Sequence, residues 1–131
     1  MSENRFDRIQ PTAVLVIEAN GRRLYAVPEV NAAAREFVKM LCPGAVKVHL
    51  HACGAGFEAP LHKSIPHCEG RAEAAAGGVI VYPDGRIAVC TGEAEGGFAR
   101  VAQIHGAGRE ELFSFLGEDG AETAFYLEWS E

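Results

Sequence analysis

Residues 45–53, Ala45-Val-Lys-Val-His-Leu-His-Ala-Cys53, alternate without a break. Val46, Val48 and Leu50 share one parity, and Lys47, His49, His51 and Cys53 share the other. Successive side chains of a strand point to opposite faces. This segment therefore fits a strand with one dry face and one wet face, and it commits the chain to a sheet with a core on one side.

The rest of the chain supplies that sheet. Residues 12–18 are short, apolar and partly β-branched, and Asn20-Gly21 follows them. Both turn residues tolerate the positive φ that a two-residue hairpin requires, so residues 22–27 are expected to return as a partner strand ending at Pro28. Asn31 reads as a helix N-cap, because its side-chain oxygen can take an orphan backbone N–H. Ala34, Phe37, Val38 and Leu41 then fall on one helical face, and Pro43-Gly44 stops the helix. Residues 79–82 and 86–90 form a second hairpin around Pro83-Asp84-Gly85. A strand over 98–105, a helix over 109–116 closed by Gly117, and a strand over 121–129 complete the pattern.

Seven strands and two helices result, joined mostly by tight turns. The expected fold is mainly β: a closed or nearly closed antiparallel barrel with two helices over its openings, which leaves no strand edge exposed. Residues 1–11 read as a polar lead-in, and 12–131 as one domain. Residues 54–78 hold Gly54, Gly56, Pro60, Pro66, Gly70, Gly77 and Gly78 and show no clear period. Some 25 residues is too long for an idle connection, so a binding loop or short hidden strands are expected there.

Composition narrows the partners. Lys and Arg number 12 against 18 Asp and Glu, a formal charge of −6. The basic residues are scattered, with no run longer than two, so neither nucleic acid nor an anionic membrane is an expected partner. The longest apolar run, 13–17, is far below the ~20 residues of a membrane helix. Met1-Ser2-Glu3-Asn4-Arg5 is polar and of mixed charge, unlike an export signal. A cytoplasmic location is therefore expected, with Cys42, Cys53, Cys68 and Cys90 as free thiols. Cys42, at the end of the helical stripe, and Cys90, in an apolar strand, read as small buried hydrophobes.

The densest chemistry is His49-Leu-His51-Ala-Cys53, with His62, His67 and Cys68 following. Two imidazoles on one strand face can bite a single ion, and the donor set suits Zn, Ni or Cu. The competing reading is a solvated strand face with ordinary loop histidines. A pocket that binds an organic ligand without metal is the third. Glu58, after two glycines at the loop entry, is a candidate hydrogen-bond acceptor or base. Tyr82, at a hairpin corner, is a candidate pocket edge. His105 reads as a barrel-end histidine held by a hydrogen bond. A cupin metal centre lacks two ligands: Ala88 stands where a histidine is needed, and Ala55 and Gly56 where a glutamate is. No nucleophile elbow and no phosphate loop is present.

The element order, with Ala33-Ala34, Phe37 and Leu41 in the helix, resembles cyclophilin. It is closer to the bacterial and archaeal cyclophilin-like domain families of uncharacterised function. Gly56-Phe57-Glu58 resembles their Gly-x-Glu. Gly78-Val-Ile-Val-Tyr82-Pro83 resembles their Gly-Asp-Ile-x-Tyr, with Val79 for the Asp. Ala102-Gln-Ile104-His-Gly106, followed by Glu110-Glu-Leu112, resembles their Gly-x-Ile-x-Gly and Glu-Leu helix, with Ala102 for the first Gly. The likeness spans residues 12–129. It implies a cyclophilin-like barrel. The strand order, the length of the 54–78 loop and the clustered His and Glu residues add the expectation of a pocket lined by that loop for a small molecule or short peptide, with His49, His51, Glu58, His62 and Tyr82 as candidate binding residues. Pairing into a homodimer is expected of so small a barrel. Prolyl isomerase activity is not implied: in Leu61-His62-Lys63-Ser64-Ile65-Pro66, Lys63 stands where cyclophilins carry an arginine, and lysine lacks its planar fork.

Overall fold

The computed structural model describes residues 12–54, 56–61, 65 and 72–130. Ten strands and two helices occur among them. In chain order they are β1 (Thr12–Ala19), β2 (Arg22–Pro28), α1 (Ala32–Leu41), β3 (Val46–Cys53), β4 (Gly56–Pro60), β5 (Ala72–Ala74), β6 (Gly78–Val81), β7 (Arg86–Cys90), β8 (Ala94–Gly96), β9 (Ala99–Ile104), α2 (Arg109–Leu116) and β10 (Gly120–Ser130). Eight strands close into a barrel in the order β1-β10-β3-β4-β7-β6-β9-β2. Every neighbouring pair is antiparallel. β5 and β8 form a separate two-stranded sheet.

The local chemistry explains the elements. Asn20 and Gly21 take φ of 53° and 75°, the positive pair that a tight hairpin needs. Asn20 also donates its side-chain amide to the Phe115 carbonyl at 2.9 Å, which ties α2 to this turn. Asn31 caps α1, accepting from the Ala34 N–H at 2.7 Å. Gly120 has φ of +95°, and a Cβ there would fall on the Leu50 carbonyl oxygen, so β3 and β10 can pair only past a glycine.

An eight-stranded barrel is just wide enough for side chains to fill it. Here Leu15, Ile17, Leu50, Phe57, Ile87, Val89 and Phe125 do so, joined by Phe37 and Leu41 of α1 and Leu112, Phe115 and Leu116 of α2. Phe37 meets Phe125 edge-on at 6.3 Å, and Phe57 meets Phe113 at 5.4 Å, so each helix is keyed to the core by an aromatic pair. A second cluster lies on the outside of the wall. Ile80, Ala88 and Cys90 point outward from β6 and β7 and are buried by Ala74 and Phe98, with Ala72, Tyr82 and Ala94 at the margin. This explains why residues 79–82 and 87–90 read as continuous apolar runs instead of alternating: both of their faces are covered.

The structure departs from the sequence reading in two places. First, ten strands stand among the described residues where seven are expected: β4 and β5 are the short hidden strands expected within 54–78, and β8 lies between the strands expected at 86–90 and 98–105, the three being only five, three and three residues long. Second, Cys42 is exposed, not buried. It follows Leu41 by one residue, about 100° further round the helix, and occupies the C-cap, where its N–H reaches the Lys39 carbonyl.

Candidate functional site

Register brings the outward residues of four strands together. His51 faces Glu58 and Cys53 faces Gly56 across β3 and β4. Gly56 faces Cys90, Glu58 faces Ala88 and Pro60 faces Arg86 across β4 and β7. Ile80 lies beyond Ala88 on β6. Gly56 and Ala88 carry almost no side chain, so the wall has a dent between Cys53, Glu58, Tyr82 and Cys90. Ala94 of β8 supplies one rim. The hollow measures about 130 Å³. Gly56 is required in it, because a Cβ would fall on the Val89 carbonyl oxygen.

Two residues of its lining, Glu58 and Tyr82, are held from behind by Arg86. The guanidinium donates from Nη1 to Glu58 Oε1 at 3.0 Å and from Nε to Asp84 Oδ2 at 2.9 Å. It also lies 4.0 Å from the centre of the Tyr82 ring, whose edge contact with Phe98 spans 5.8 Å. The side chains of Arg86 and Glu58 are 39% and 24% exposed, so solvent screens the pair and its net worth is below about 1 kcal/mol. Its consequence is geometric: Glu58 and the Tyr82 ring are both fixed by one cation. Burial, then the negative charge of Glu58, pushes the Tyr82 phenol above its ordinary value, with Arg86 pulling the other way. At neutral pH the hydroxyl is therefore a donor. Burial pushes the Cys90 thiol up to about 11, so it stays protonated.

Of the residues read from sequence, Cys53, Glu58 and Tyr82 line this hollow. His49 and His51 do not. They are exposed on the same outer face, with ring centroids 4.7 Å apart. His62, His67 and Cys68 lie outside the described residues, as does Lys63. Among the described residues no group of three His, Cys, Asp or Glu is close enough to hold a metal ion, so His49, His51 and Cys53 do not form a ready triad. His105 is exposed, and its backbone N–H donates to the Tyr25 carbonyl at 3.2 Å. Arg86, Asp84, Ala88, Cys90 and Ala94 were not singled out as site residues from the sequence. Arg86 had a signal: it follows a Pro-Asp-Gly corner and shares a strand face with Ala88 and Cys90.

A larger, open cleft of about 600 Å³ adjoins the hollow, and Ala94 lines both. Its described walls include Glu73, Glu93, Glu95 and Arg100. Arg100 is held by Glu29 at 2.8 Å. No family model, curated protein or solved structure matches this chain.

Proposed function

We propose that this chain is a cyclophilin-like barrel that binds short peptides, seating one small side chain in the hollow outside β4 and β7. The packed barrel interior leaves the outer wall as the place for a ligand. The observation that carries the reading is the convergence of an anchored carboxylate, Glu58, and an aromatic hydroxyl, Tyr82, over a floor of small residues. Glu58 accepts a ligand N–H, and the Tyr82 hydroxyl donates to a ligand carbonyl, the two groups every peptide bond offers.

Size favours a peptide over a compact small molecule. Sites for drug-sized ligands run from about 300 to 1,000 Å³. The hollow, at about 130 Å³, takes one group of a longer ligand whose remainder lies in the adjoining cleft. The cleft carboxylates favour basic flanking residues.

A titration of isotope-labelled protein with a panel of short peptides, basic and acidic, tests this. Saturable amide shifts at Cys53, Gly56, Glu58, Tyr82, Cys90 and Ala94, stronger for basic peptides, are expected. No saturable binder in the panel, or shifts centred elsewhere on the barrel, would refute the reading.

A further inference from the structure

The outward face of β3 carries a second arrangement, apart from the hollow. His49 and His51 are exposed, and their rings tilt toward each other with centroids 4.7 Å apart and planes at 40°. Alternate strand residues are about 6.6 Å apart along the backbone, so the rings have closed on one another. An imidazole nitrogen binds a divalent transition ion at about 2.0–2.1 Å, which places the ion about 3.2 Å from the ring centre. Two such rings at about 90–110° around one ion have centroids about 4.5–5.2 Å apart. The observed separation falls inside that window.

The backbone beneath the pair is fixed on both sides. His49 faces Glu122 of β10, and His51 lies between Gly120 of β10 and Glu58 of β4. Little backbone ordering is left for binding to cost. The neighbouring charges are Lys47, two residues before His49 on the same face, and the carboxylates of Glu122 and Glu58. Glu58 is engaged by Arg86. Glu122 is exposed and stands opposite His49, where facing Cβ atoms are about 4.5–5.5 Å apart.

We propose that His49 and His51 form a two-imidazole surface chelate for a divalent transition ion of the nickel, copper or zinc kind. Imidazole selects these ions over magnesium and calcium, which prefer oxygen. Two donors leave positions open to water or to a group on another molecule. Cys53, the third member of the sequence motif, lines the hollow instead and is not part of this set.

Titration of the untagged chain with Ni(II) at neutral pH, followed by calorimetry and by amide line-broadening, tests the assignment. One ion per chain is expected, with broadening centred on residues 49 and 51. His49→Asn and His51→Asn should each lower the affinity about tenfold or more. His105→Asn should leave it unchanged. All three side chains are exposed, so these variants fold. Absence of saturable binding below about 1 mM would overturn the proposal, as would binding that survives replacement of both His49 and His51.

Discussion

The two faces of β4 and β7 are built from residues one position apart and serve opposite ends. Inward, Phe57, Ala59, Ile87 and Val89 are 0–3% exposed and pack the barrel to its axis. Outward, Gly56, Glu58, Arg86, Ala88 and Cys90 leave a hollow and a fixed ion pair. The inner face gains its stability from volume, and the outer face gains its chemistry from missing volume. Substitutions on the two faces should therefore separate stability from binding.

The sharpest separation is expected from Phe57→Ala. Removing a fully buried aromatic ring that also contacts Phe113 should cost about 3–5 kcal/mol, read by chemical denaturation. A cost below about 1 kcal/mol would mean that the core is not packed as described. Gly56→Ala sits between the two faces. Its methyl would meet the Val89 carbonyl oxygen, so β4 and β7 must part, and about 1–3 kcal/mol of stability should be lost. Glu58→Gln should do the reverse of Phe57→Ala. Stability should change by less than about 1 kcal/mol, because the ion pair it breaks is partly solvated. Peptide affinity should fall about tenfold or more, close to 1.4 kcal/mol.

The smallest expected effect is a pH dependence. The Cys90 thiol has its value raised from 9.0 to about 11 by burial, so the folded chain holds that proton more tightly than the unfolded chain. The resulting stabilisation is complete below pH 9 and is lost as the pH rises through about 11. Cys90→Ala should flatten part of the alkaline decline relative to the parent chain, as measured by denaturation across that window. An identical decline in both would show that the outer cluster does not shield the thiol.

The two faces also differed in how legible they were from sequence. The inward face announces itself: Val46, Val48 and Leu50 alternate, Asn31 caps a helix whose Phe37 and Leu41 form a stripe, and Asn20-Gly21 has few uses other than a hairpin. β4 escaped notice because five residues bounded by Gly56 and Pro60 hold only one full alternation. β5 and β8 are shorter still, three residues each, and they cover Ile80 and Cys90. On the outward face, Glu58 and Tyr82 stood out by position. Arg86, Ala88 and Ala94 did not, because the hollow depends on β4 pairing with β7 across about thirty residues. Ala88 and Ala94 act there by being small, which leaves no chemical mark in a sequence.

The most direct measurement of the central claim is the affinity of the best peptide from the panel for the parent chain and for Ala94→Leu. Ala94 is partly exposed at the rim, and three added carbons would fill the hollow without entering the barrel core. The account expects at least about a tenfold loss of affinity with an unchanged unfolding midpoint. An affinity equal to that of the parent chain would show that the ligand binds elsewhere.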